Sequence, residues 1–309
     1  MGKYILRRVL YLLPMMFLVI VTVFLIMSFT PGDPATNNLP ITAAPEVKAA
    51  YNESVGYTDA LVPRFLHYMG GLLTGNVLSY TSRENIFTEI ALRLPSTLKL
   101  GMISFLLAAI LGVTLGIVTA IRQYSFLDGA ISVAAVVFGS VPAFLLATLG
   151  IFLFSVKLGM FPSFGITDGW RSFVLPVASM TLSGVPMICR ITRSAMLSVM
   201  NTDYIRTARA KGCDERRVIW KHVLKNASLP ILTLLLSGLA GMVGGSVIIE
   251  QVFSIPGIGL YMLDAINGKN VPVVMTCALL LAFIFMLAML LNDICYALID
   301  PKVRLRYRR

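Results

Sequence analysis

The chain has 309 residues, 57% of them hydrophobic and only 13% charged, with a formal net charge of +11. A soluble globular domain carries about 25% charged and about 45–50% apolar residues, so this composition excludes an ordinary soluble protein and points to an integral membrane protein. The positive charge is distributed by loop and not gathered into one stripe, which argues against nucleic acid as the partner.

The first apolar run, residues 9–29, holds 21 residues, close to the ~20 that cross a bilayer as a helix. Lys3, Arg7 and Arg8 precede it. It exceeds the roughly 7–15 residues of a signal-peptide core, and Thr30-Pro31-Gly32-Asp33-Pro34 follows where a small-residue cleavage site would stand. The run is therefore expected to remain as a first helix with a cytoplasmic N-terminus, residues 1–30. Pro14 falls in its first turns, where a missing N–H costs least.

Residues 31–93 form a polar, extracytoplasmic segment. Asp33, Glu46, Glu53, Asp59, Glu84 and Glu89 face Lys48, Arg64, Arg83 and Arg93, a net charge of −2. Residues 62–71 read as a short interfacial helix, and the segment is small for an independent domain. Residues 94–309 make the core. Apolar spans are expected over 98–121, over 130–156 with an interruption at Pro142, over 173–189 with Pro176 and Pro186, over 229–249 with Gly238, Gly241, Gly244 and Gly245, and over 271–292. Gly112 and Gly116 share one face of the second span, a pattern that lets another helix approach closely. Residues 157–171, with Trp170, read as an outer loop.

Six spans place both termini on one side. The first eight residues carry +3, residues 190–225 carry nine basic against three acidic side chains, and the tail 300–309 carries five basic against one. All three regions fall on the same face of a six-span topology, as the positive-inside rule requires of the cytoplasmic side.

The block between the fourth and fifth spans is unlike the rest. Asp203 to Lys211 suits a short helix with its acid at the positive end of the dipole. Gly212 breaks it. Asp214 and Glu215 open a second helix on which Arg217, Lys221 and Lys225 recur every fourth residue. The expectation is a two-helix cytoplasmic projection over 201–225. Two readings stand on physics alone: a basic anchor on anionic lipid, or a docking element for a cytoplasmic protein, favoured by the glycine and by small Thr207, Ala208 and Ala210.

Catalytic signatures are missing. There is no GxxxxGK[ST] phosphate loop; Asn267-Gly268-Lys269-Asn270 is the nearest echo. There is no HExxH. Cys189, Cys213, Cys277 and Cys295 form no CxxC pair, so neither a metal site nor a disulfide framework is expected. His67 and His222 stand alone, and Glu250 and Asp293 read as isolated, interfacial acids at span ends.

Several stretches resemble one family. YIRTARAKG (204–212), within a longer run from Arg190, is similar to the cytoplasmic loop signature of ABC importer permeases. The resemblance is strongest to the B-type permeases of dipeptide, oligopeptide and nickel import. ILRRVLYLLP with TPGDP, LPSTLKLG at 94–101, EQVFSIPGIG at 250–259 and DPKVR at 300–304 resemble that branch in the same order. The general signature has Glu-Ala-Ala where this chain has Arg206-Thr207-Ala208, and the Leu229-Pro230 pair lies further from Gly212, both departures typical of the peptide branch.

The resemblance implies an all-α polytopic protein with the type I ABC importer permease fold. It implies a non-catalytic subunit of the cytoplasmic (inner) membrane that imports di- or oligopeptides. The partners it implies are a second, different permease completing the pore, two cytoplasmic ATPase subunits that use ATP and Mg2+, and an extracytoplasmic substrate-binding protein. No cofactor would be bound by this chain. Asp203, Arg206, Thr207, Ala208, Arg209, Ala210, Lys211 and Gly212 would couple to an ATPase, while Glu250, Phe253, Pro256 and Gly257 would shape an outer gate or turn. Nickel or another small solute is the alternative cargo, and an ion-coupled secondary transporter the alternative class. The proline- and glycine-broken spans favour a moving or pore-lining bundle over a static scaffold.

Overall fold

The computed structural model describes residues 2–299; the basic tail, residues 300–309, lies outside them, so the DPKVR motif and the tail's charge have no structural account. Among the described residues the fold is helical, apart from an isolated antiparallel bridge between Leu78 and Asn85. The first helix, α1, runs Gly2–Phe29 with Pro14 inside it. Three short helices follow on the outer side: α2 (Pro34–Asn38), α3 (Pro45–Ser54) and α4 (Leu61–Thr74). The next is α5 (Ile86–Ile121), 36 residues long.

At 1.5 Å per residue α5 is about 54 Å long, well beyond the ~30 Å hydrocarbon layer. It starts at Ile86, where the expected span starts at residue 98. Asn85 sets the boundary by accepting the Phe87 N–H at 2.9 Å, as an N-cap does. Pro95 lies inside the helix, so the LPSTLKLG motif is part of α5 and not its approach.

The third span is not continuous. Its pieces are α6 (Phe126–Ser140) and α7 (Ala143–Gly150), the latter carried on to Lys157 by π-winding. They are bent by 99° at Val141-Pro142, because proline removes a backbone donor and disfavours helical geometry in the residue before it. Among the described residues five helices are long and apolar enough to cross a membrane, or six when this bent pair counts as one span.

The fourth span is α8 (Arg171–Met200). Its contact with α5 is made by glycine: a Cβ on Gly112 would stand 2.6 Å from the Ile188 Cβ, and one on Gly116 2.5 Å from the Thr192 Cβ. After the short helix α9 (Asp203–Ala210) the chain winds continuously through α10 (Glu215–Arg217), a π-wound turn (Val218–Val223) and α11 (Leu224–Val252). The expected two-helix projection is therefore one helix only. Its second half is the beginning of the fifth span, since nothing after Glu215 breaks the winding. A tight turn leads to α12 (Ile258–Asn267) and to α13 (Val271–Ile299).

Residues 31–85 do not form a body of their own. Tyr68, Val77, Tyr80 and Ile86 are buried in one cluster with Phe24 of α1 and Val271, Val274 and Met275 of α13. Asn270 fastens it, accepting the Tyr80 N–H at 3.1 Å and donating to the Ser79 hydroxyl at 2.8 Å. Two further clusters lie elsewhere: one around Leu100, Phe173 and Phe253, one where α9 meets the ends of α5, α8 and α11, around Ile117, Met196, Ile205 and Val223.

Candidate functional site

The loop between α8 and α11 is built on one buried side chain. Ile205, with no exposed surface, is inserted among Ile117, Met196, Val218, Val223 and Ala227, so α9 is pinned to the ends of α5, α8 and α11. The remainder of α9 is polar and outward. Asp203, Arg206, Thr207, Arg209 and Ala210 are exposed, followed by exposed Lys211 and Gly212; Ala208 is half-buried. Thr202, in extended conformation, is the N-cap, which places Asp203 in the first turn beside the helix's positive end. The Asp203 and Arg206 side chains are 97% and 73% exposed and 3.6 Å apart, so their pairing adds little stability.

Gly212 ends α9 by geometry. Its φ of +76° is left-handed. The Cys213 N–H donates to the Ala208 carbonyl at 3.3 Å and the Gly212 N–H to the Arg209 carbonyl at 2.9 Å, the paired bonds of a glycine-closed helix C-terminus. Across this turn Arg209 clasps Glu215 with two bonds, 3.0 and 2.6 Å. The loop is thus a short, preset helix with one apolar root and a charged outer face.

At the outer end EQVFSIPGIG folds as the turn from α11 to α12. Glu250, expected as an isolated interfacial acid, is completely buried. One carboxylate oxygen accepts the N–H groups of Gly259 (2.8 Å) and Leu260 (3.1 Å), and the other the Ser246 hydroxyl (3.1 Å). It caps the start of α12, whose free N–H groups need an acceptor. Gly257 is extended, not left-handed; a Cβ there would lie 2.3 Å from the Glu250 carboxyl carbon, so glycine is needed for the close approach. Phe253 is buried and Pro256 is exposed. The Thr97 hydroxyl of α5 accepts the Ile258 N–H at 2.8 Å, and the Gly165 N–H of the outer loop donates to the Phe253 carbonyl at 2.8 Å.

A third constellation was not foreseen from sequence. Arg193 of α8 pairs with buried Asp128 of α6 through two bonds of 2.9 and 2.8 Å, which ties the first half of the bent span to α8. The partners lie 65 residues apart in sequence, and no local pattern announces them. Among the described residues no group of three or more His, Cys, Asp or Glu is placed to hold a metal ion, and all four cysteines are free.

Among the described residues the chain is a bundle of five or six candidate spans, with an amphipathic helix, α9, displayed on the loop before α11. The chain belongs to the binding-protein-dependent transport system inner membrane components: that family matches residues 112–305, and the N-terminal part of such components matches residues 1–101. Similar relatives run the whole length. A putative peptide permease protein of Brucella suis is 37% identical, over 98% of this chain and 99% of its own. The dipeptide transport system permease protein DppB of Lactococcus lactis is 36% identical, over 99% and 100%. The glutathione transport system permease protein GsiC of Escherichia coli is 37% identical, over 98% and 99%. Among solved structures, a chain of the inward-facing MetNI methionine ABC transporter shares the fold with a TM-score of 0.60 at 20% identity, over 70% of this chain and 99% of that one. A chain of an amino acid ABC transporter gives 0.56 at 15% identity, over 68% and 94%. The chain is thus the permease subunit of a binding-protein-dependent ABC importer, a non-catalytic component.

Proposed function

We propose that this chain is half of the pore of an importer of di- and oligopeptides in the inner membrane, with both termini cytoplasmic. A second homologous permease completes the pore, two ATPase subunits that consume ATP and Mg2+ sit below, and an extracytoplasmic binding protein delivers the cargo. The peptide cargo is supported by the full-length relatives named as peptide, dipeptide and glutathione permeases. The cytoplasmic orientation is supported by the +6 net charge of residues 190–225.

The observation that carries the coupling role is the build of α9. Its root, Ile205, packs on Val218 and Val223, the foot of the rod that becomes α11, while its charged face is exposed. A displacement of α9 by an ATPase closing beneath it is passed through this packed contact to the span, because a close-packed core transmits strain. In this reading the turn of Phe253, Pro256 and Gly257 is the outer gate's fixed shoulder, held by the Glu250 cap.

The test uses Arg206→Glu, an exposed reversal on α9, beside Gly212→Asp. Both should insert and accumulate normally, co-purify with less ATPase and lose most peptide uptake. Full uptake with full ATPase recovery in both variants would remove α9 from the coupling role.

A further inference from the structure

Between α6 and α8 the bundle opens into a groove of about 740 Å³, within the size range of small-ligand sites. Its wall is unusual for a membrane bundle. Ser183, Ser194 and Ser198 of α8 border it, and none of these hydroxyls appears in a hydrogen bond among the described residues. Two guanidinium groups, Arg190 and Arg193, border it too.

The two arginines differ in one respect. Arg193 is charge-paired with Asp128, with both carboxylate oxygens engaged. Arg190 is exposed, and its recorded contact is with the Met187 sulfur at 3.7 Å. No carboxylate faces it among the described residues. The groove therefore carries one uncompensated positive charge among free hydroxyls. Arg190 stands about 28 Å along α8 from Arg171 at 1.5 Å per residue, toward the cytoplasmic end. A basic side chain that faces a groove at the end of a span, with no carboxylate opposite it, is placed to attract an anion passing along that groove.

We propose that Arg190 is the anion-binding point of this half of the translocation path, where it takes the C-terminal carboxylate of the passing peptide. The inference rests on the peptide reading above. A guanidinium fork matches a carboxylate with two parallel bonds, the same pairing that Arg193 already makes within the chain. The free hydroxyls of Ser183, Ser194 and Ser198 supply exchangeable partners for the peptide backbone. The terminal carboxylate is common to all linear peptides, so one cation serves cargo of any side-chain sequence.

The experiment is uptake by the complete transporter reconstituted in liposomes. Arg190→Gln and Arg190→Lys are compared with the unmodified chain, on one peptide as free acid and as C-terminal amide. The same binding protein serves every arm, so its own preference cancels in the ratio between variants. Arg190→Gln is expected to raise KM for the free acid about tenfold or more, as loss of a charge-assisted bond implies. Uptake of the amide should change little, Arg190→Lys should recover part of the loss, and all subunits should be retained. An unchanged KM for the free acid in Arg190→Gln overturns the proposal. So does an equal loss on acid and amide, which marks a structural or lipid-anchoring role, or a loss of subunits, which marks a salt bridge to the partner permease. If the amide is not carried even by the unmodified chain, the free-acid KM with its lysine recovery decides. Failure of the unmodified transporter to import any peptide would instead sink the cargo reading.

Discussion

Glu250 is the residue whose surroundings differ most from its appearance in the sequence. In the sequence it reads as an isolated, interfacial acid at the end of a span. In the fold it is the acceptor on which the start of α12 hangs, and two glycines, Gly257 and Gly259, make room for it. Its work is hydrogen bonding, and glutamine can do most of it: an amide oxygen can accept the Gly259 and Leu260 N–H groups and the amide nitrogen can donate to Ser246. Glu250→Gln should therefore retain transport and nearly all thermal stability in detergent. Glu250→Ala leaves buried N–H groups without an acceptor, at about 1–3 kcal/mol each, and should lower the melting temperature clearly. A stable but inactive Glu250→Gln would show that the charge itself has a task.

At the scale of elements, the tightest joint is the α5–α8 crossing. Gly112 and Gly116 let two backbones meet without side chains between them, and any added methyl group must displace Ile188 or Thr192. Gly116→Ala is expected to cost about 1–3 kcal/mol through overpacking. Gly241→Ala, where an added Cβ meets nothing within 4 Å, should be neutral; a denaturation series on both variants in one detergent separates them. The outer helices depend on a different device. Asp33 caps α2 by accepting the Thr36 N–H at 2.9 Å, and it also accepts from Asn52 at 2.9 Å. Burial alone would raise its carboxyl, but the hydrogen bonds from Asn52 and Thr36 outweigh this and hold it below the ordinary aspartate range. A depressed folded value means the stabilisation is complete above the unfolded value and is lost as pH falls through the folded one. Protection of residues 34–54 against hydrogen exchange should thus be constant near neutrality and fall below about pH 4. Asp33→Asn, which still caps but does not titrate, should flatten that fall.

At the scale of the whole molecule, the outer segment and the spans are one body. The cluster of Phe24, Tyr68, Tyr80, Ile86 and Val274 has contributions from both, so excising the segment would expose an apolar face of α13. Asn270 concentrates the polar part of this joint. Besides its bonds to Tyr80 and Ser79 it reaches the Thr81 hydroxyl at 3.2 Å. Asn270→Ala should loosen residues 77–85 selectively, seen as faster hydrogen exchange there, while the cytoplasmic cluster around Ile205 keeps its protection. Equal loosening at both ends would mean that the joint governs global stability and not the docking of one segment.

The sequence by itself determined the class of the protein and the approximate positions of its spans, and its charge pattern groups the basic block with the basic termini. These follow from quantities summed over a segment: transfer of about twenty apolar residues into lipid and the bias of basic charge between loops. The glycine at position 212 was legible for a local reason, since a left-handed residue after a helix wants no Cβ. What only the tertiary structure decided depends on contacts between distant residues. The 99° bend at Pro142, the fusion of the second half of the block with the fifth span, the burial of Glu250 and the pairing of Asp128 with Arg193 all belong here. The same holds for Arg190: two arginines three residues apart look alike in the chain, and only the position of α6 leaves one neutralised and the other facing the groove.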